Sequence, residues 1–108
     1  MSTGSGPVTE VLCVMNIITE ENFESEEDYE NVLEEMHEEC SRYGVVKSLE
    51  IPRPIPGVIV AGIGNVYVEF AEKADCQRAH ADLTGRLFAN RTTVASYFDI
   101  DKYKNRHF

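Results

Sequence analysis

Residues 25–44 read SEEDYENVLEEMHEECSRYG, and the spacing of their apolar side chains decides the fold. Tyr29, Val32, Leu33, Met36, Cys40 and Tyr43 recur every three or four positions, as in a helix that buries one stripe. Ser25 is placed to cap that helix, and Asp28 three residues on approximates a capping box. Glu26 and Glu27 suit the positive end of the helix dipole. Gly44 is expected to stop the helix in a left-handed conformation.

Outward from this helix the pattern changes to strands. Residues 11–15 (VLCVM) form an apolar run rich in β-branched side chains. Residues 45–51 read as a second strand, ended by Pro52, Pro54 and Pro56, which forbid regular pairing. A long, partly ordered loop through Gly57, Gly62 and Gly64 follows. In residues 65–70 (NVYVEF) the alternation places Val66, Val68 and Phe70 on one face. A second helix fits residues 73–83, ended by Thr84-Gly85, and residues 92–97 make a last strand. Asp99 can cap a terminal helix whose Ile100, Tyr103 and His107 share a face. The order βαββαβ plus a helix predicts an α+β, ferredoxin-type sandwich: a four-stranded antiparallel sheet with two helices on one face. The extra helix is expected to cover the other face, because an open sheet bearing Val11, Cys13 and Tyr67 invites association.

Charge is segregated along the chain. Twelve acidic residues fall in the first forty positions, eleven of them from Glu20 to Glu39, and no lysine or arginine precedes Arg42. Residues 41–108 carry ten basic and seven acidic side chains, so the net charge of −9 belongs to one end. Nucleic-acid binders present the opposite sign, so this patch points to a basic partner, a protein rather than a nucleic acid. Around the helix, Asp28, Glu35 and Glu39 lie on one shoulder of the apolar stripe, beside Val32, Met36 and Tyr43, while Glu27, Glu34 and Glu38 point further towards solvent. Glu35 and Glu39 form a like-charged i,i+4 pair costing roughly 0.2–0.5 kcal/mol. A cost without structural return suggests a cationic ligand.

Other chemistry finds little support. Cys13, Cys40 and Cys76 are widely spaced and read as reduced, buried thiols. His37, His80 and His107 lack ligand spacing, and no cofactor motif or membrane-length apolar run is present. An acylphosphatase-like enzyme would need a phosphate-cradling loop with an arginine near the N-terminus, where there is none. Residues 1–8 read as a flexible segment before a domain over residues 9–108.

Two segments resemble the RNA recognition motif: LCVMNI (12–17) in the place of its hexamer and IGNVYVEF (63–70) in that of its octamer. That family stacks RNA bases on aromatic rings of the sheet. Here Cys13 and Asn65 occupy two of the aromatic positions, and Tyr67 alone keeps a ring. Two readings follow, an atypical RNA binder or a fold with another ligand. The whole chain from Thr9 resembles the U2 auxiliary factor homology motif (UHM), a peptide-binding subgroup of that fold found in several splicing regulators. The likeness is carried by TEVLCVMN (9–16), EECSRYG (38–44), IPRP (51–54) and LTGRLFANR (83–91). Arg86-Leu87-Phe88 stands where the family has its Arg-x-Phe marker.

The resemblance implies recognition of several basic residues followed by a tryptophan, in a nuclear pre-mRNA splicing factor. Such motifs occur in the branch-point-binding protein and in the large protein of the SF3b complex, and their capture supports 3′ splice-site recognition and U2 snRNP recruitment. The family's contact positions correspond to Glu35, Glu39, Arg86 and Phe88, bordered by Asp28, Asn31, Met36 and Leu87. Asn31 departs from the acidic character expected there. The resemblance favours Phe88 as the tryptophan's stacking partner; spacing alone would equally allow Leu87 as the buried member of the triplet. Arg86 reads either as a solvated loop charge or, more sharply, as a bridge to Glu39. The net charge of −9 and the rings missing at Cys13 and Asn65 predict weak or absent RNA binding, and no cofactor or membrane is expected.

Overall fold

The computed structural model describes residues 6–88, the last of these by its backbone alone, and residues 91–108. Strand β1 (Val11–Met15) is followed by a 3-10 turn (Glu20–Phe23), helix α1 (Glu26–Ser41), strands β2 (Val46–Glu50) and β3 (Val66–Phe70), and helix α2 (Lys73–Leu83). Two short strands, β4 (Leu87–Phe88) and β5 (Arg91–Thr92), precede strand β6 (Val94–Phe98) and helix α3 (Ile100–Lys104). The main sheet runs β2-β3-β1-β6 with antiparallel neighbours throughout. This is the predicted ferredoxin-type sandwich, with a small β4-β5 hairpin added.

The sheet has two packed faces. Leu12, Val14, Val66, Val68 and Phe70 project towards α1 and α2, where Val32, Met36, Cys40, Cys76 and Ala79 complete the main core. The alternate positions Val11, Cys13 and Tyr67 point the other way and pack under Tyr103 of α3, with Phe98, Ile100 and Phe108 around them. Tyr67 is only 1% exposed, because Phe108 stacks on it at 4.4 Å and Phe98 meets its edge at 4.9 Å. The Tyr103 and Ser48 hydroxyls share a 2.7 Å hydrogen bond that ties the terminal helix to β2. The predicted cover over the sheet is therefore present.

Helix α1 starts as its sequence dictates: the Asp28 amide donates to Ser25 Oγ at 3.1 Å. Asp99 likewise caps α3, accepting from the Lys102 amide at 2.9 Å. Three expectations are corrected. Gly44 does not adopt a left-handed conformation; glycine is required there because a Cβ would collide with the Asp75 side chain of α2. His107 does not extend α3, which ends at Lys104; Arg106 turns the chain at φ 58°, and Phe108 supplies the ring on the sheet. The last long strand begins at Val94 rather than residue 92, because Thr92 pairs with Leu87 in the hairpin. At Gly62 (φ 78°) a Cβ would lie 2.8 Å from Phe108 and from the Tyr67 hydroxyl, so this glycine lets the loop close against the tail.

All three cysteines are free and buried. Burial pushes the Cys13 thiol up to about 11 and those of Cys40 and Cys76 to about 12, with the Glu39 and Cys40 charges as secondary causes for the latter two. Among the described residues no helix is long and apolar enough to cross a membrane, and no cluster could hold a metal ion.

Candidate functional site

The C-terminal half of α1 faces the segment that leaves α2, and a notch of about 240 Å³ opens between them. Val14, Ile17, Met36 and Leu83 supply apolar walls; Glu39, Arg86, Leu87 and Thr93 form the remainder. The notch is smaller than the ~300–1,000 Å³ of drug-sized sites, and suits one large side chain. Its outer wall is held by backbone pairing. The Gly85 amide donates to the Thr93 carbonyl and the Thr93 amide to the Arg86 carbonyl, both at 2.8 Å, while β4 and β5 pair through Leu87–Thr92 and Phe88–Arg91. The loop after α2 is thus a hairpin whose register fixes where Arg86 and Leu87 stand.

Arg86 Nη1 lies 2.8 Å from Glu39 Oε2, so the bridge across the notch is formed. Glu39 is also held by Arg42 at 3.1 Å, and Arg86 reaches Asp82 at 3.9 Å. Asp82 in turn accepts from the Tyr43 hydroxyl. The Glu39 charge raises the Arg86 pKa further, so this guanidinium stays cationic. Burial and the hydrogen bond to Asp82 together push Tyr43 to about 12.

Of the eight predicted site residues, the structure brings Met36, Glu39, Arg86 and Leu87 together at the notch. Leu87 is 69% exposed, so it is not the buried member of the triplet. The Phe88 side chain lies outside the described residues; its backbone belongs to β4. Glu35 is exposed and sits beside the notch, with Glu38, Glu39 and Arg42 around a shallow hollow. The three carboxylates of the α1 shoulder are not alike in burial, since Asp28 and Glu39 are half-buried and Glu35 is not. Asp28 is engaged at the helix start, accepting from the Ser25 hydroxyl at 3.0 Å, and Asn31 is exposed one turn before Glu35. Sequence reasoning missed Val14, Ile17, Leu83 and Thr93, which come from three separate segments. Arg42 was legible as an i+3 partner of Glu39.

No protein-family model matches the chain. Human serine/threonine-protein kinase Kist is 40% identical over 96 residues, covering 89% of this chain and 22% of that protein. A U2af large-subunit splicing factor from Oryza sativa subsp. japonica is 37% identical over 101 residues, 93% of this chain and 18% of that protein. The chain therefore spans about a fifth of the length of these curated relatives. Among solved structures, the Rna15 RRM with bound RNA superposes with a TM-score of 0.62 at 20% identity, covering 92% of this chain and 96% of that one. That likeness establishes the fold.

Proposed function

We propose that this RRM-like domain, close in sequence to the large subunit of the U2 auxiliary factor, is a peptide-recognition module of a nuclear pre-mRNA splicing factor. Its ligand is a short linear motif of basic residues and one tryptophan. The tryptophan enters the notch between Met36 and Leu87, Arg86 offers its guanidinium plane to the ring, and Phe88 stacks on it. Glu35 and Glu39 meet the basic residues, and Asp28 and Asn31 border the far end of that contact. The expected partners are motifs of this kind in the branch-point-binding protein and in the large protein of the SF3b complex. Their capture would support 3′ splice-site recognition and U2 snRNP recruitment.

One observation carries the reading: the two faces of the fold are used oppositely. The sheet face on which an RNA recognition motif stacks bases is filled by the chain's own Tyr103 and Phe108, and Cys13 and Asn65 offer no ring. The helical face keeps an open apolar notch beside Glu35 and Glu38, which form no ion pair among the described residues. Relatives named for a kinase and for a splicing factor share this same segment, a fifth of each, so we assign no catalysis to it.

Calorimetric titration with a basic–basic–x–tryptophan peptide, beside a pyrimidine-rich RNA oligonucleotide, tests the proposal. Binding of the peptide and not of its tryptophan-to-alanine form is expected. Micromolar affinity for the RNA with none for the peptide would overturn it.

A further inference from the structure

Two further hollows adjoin the notch through shared wall residues. Ile17, in its wall, also lines a trough of about 680 Å³ with Thr19, Glu21, Val32, Glu35 and Arg91. Thr19 and Arg91 in turn border a third hollow of about 640 Å³, whose apolar walls are Ile18, Phe23, Pro54 and Ile63. Along α1, the ten residues from Met36 in the notch back to Glu26, two residues after Glu24 of the far hollow, span roughly 15 Å, which about five residues of extended chain would cover.

The far hollow has the makings of a side-chain pocket. Ile18 is buried as its floor, Phe23 is held by stacking on Tyr29 at 6.3 Å, and Ile63 is 45% exposed at its mouth. The loop between Pro54 and Ile63 holds further apolar groups in water, Ile55, Val58 and the fully exposed Ile59. Charge specifies the occupant. Glu20 and Glu24 rim the hollow, and Glu21 and Glu35 flank the trough; all four are exposed and make no ion pair among the described residues. Arg91, hydrogen-bonded to Asn16 at 3.3 Å, is the one cation against them among the described residues. An apolar pocket in so acidic a surface selects an apolar side chain carried on a cationic backbone segment.

We infer that the notch and the two hollows take one continuous ligand: a basic linear motif with a second apolar anchor, leucine- or isoleucine-sized, about five residues from its tryptophan. The inference rests on the tryptophan reading above and adds a specificity pocket to it. The segment between the anchors would carry the lysines or arginines that face Glu21 and Glu35.

The test uses three synthetic peptides titrated into this chain by calorimetry. One is the bare basic–tryptophan motif; two extend it with basic residues and a leucine about five positions before or after the tryptophan. One extension is expected to gain about tenfold over the bare motif and over its own leucine-to-serine control, part of the free energy of burying an aliphatic side chain. Ile63→Ser, at a surface position, should erase that gain and leave the bare motif's affinity unchanged. Amide chemical-shift changes at Ile63 and Gly64 should appear with that extension only. Bare binding with no gain from either extension, or a gain that survives Ile63→Ser, overturns the second anchor while leaving the tryptophan reading intact. Failure of the bare motif to bind sinks the tryptophan reading and the continuous ligand with it.

Discussion

Phe108→Ala tests whether the covered sheet face explains the expected indifference to RNA. Phe108 stacks on Tyr67 at 4.4 Å and lies 6.0 Å from Tyr103 and 6.2 Å from Phe98. Truncating a fully buried phenylalanine costs about 3–5 kcal/mol. This ring is half-buried, so about 2 kcal/mol is expected, including roughly 0.5–1.5 for the ring pairs. Near 100 residues that lowers the melting temperature by about 8 °C. Against a total stability of about 5–15 kcal/mol the variant stays folded, and its ligand binding can be measured. Thermal denaturation by circular dichroism supplies the first readout. RNA titration supplies the second, and there the variant should still fail to bind. Uncovering Tyr67 restores one ring, while Cys13 and Asn65 offer none and the net charge remains −9. A melting shift under about 2 °C would refute the docking of the tail on the sheet. Micromolar RNA binding by the variant would refute the charge and platform argument.

Peptide affinity should fall as salt rises from about 0.05 to 0.5 M, since screening acts over ~10 Å at 0.1 M and Glu35 is exposed; a flat titration series would make the acidic helix a bystander. Phe88→Ala should weaken the tryptophan peptide more than Glu34→Ala, whose effect at an exposed position should stay below about fivefold; equal losses would remove the ring's stacking partner from the reading. Gly44→Ala should destabilise the chain by about 1–3 kcal/mol in chemical denaturation, because its new methyl meets Asp75; a neutral result would show that α2 yields there. Stability should fall as pH rises above about 9. The raised thiol pKa values mean the unfolded chain releases protons first, so their contribution is complete below the ordinary thiol range and lost on the way to about 11–12. Denaturation midpoints that stay constant from about pH 8 to 10.5 would contradict this.

Local chemistry was legible in the sequence where it repeats. The α1 stripe, its Ser25 cap, and the alternation of Val66, Val68 and Phe70 each state a period that one segment settles by itself. What was not legible depends on distant partners. Gly44 looked like a helix stop, and only the packing of α2 reveals that Asp75 occupies the space of its missing side chain. The β4-β5 hairpin has strands of two residues each, too short for any period to register. The notch was half visible for the same reason. Met36 and Glu39 followed from helical geometry, and Arg86 and Leu87 from resemblance; Val14, Ile17, Leu83 and Thr93 become neighbours only when the sheet is assembled.

The electrostatics of α1 carry the argument for a cationic ligand beyond a count of acids. Acidic residues in the first turn, Glu26, Glu27 and Asp28, sit at the positive end of the helix dipole and stabilise it. Glu38 and Glu39 occupy the other end, where the dipole is negative and the helix's last turn contains no basic residue. Glu39 is relieved by Arg42 and by Arg86, brought over from the far side of the notch. Glu35 and Glu38 have no such partner among the described residues, although both border the same hollow as Glu39. The described residues thus satisfy the carboxylate that shapes the notch and leave Glu35 and Glu38 without an ion pair. A ligand whose basic residues lie along Glu35 and Glu39, with Glu38 beside them, would supply the charge that the helix end lacks, and would do so only with its aromatic side chain in register with the notch. Charge and apolar contact are coupled by that geometry, so neither half of the ligand should bind well without the other.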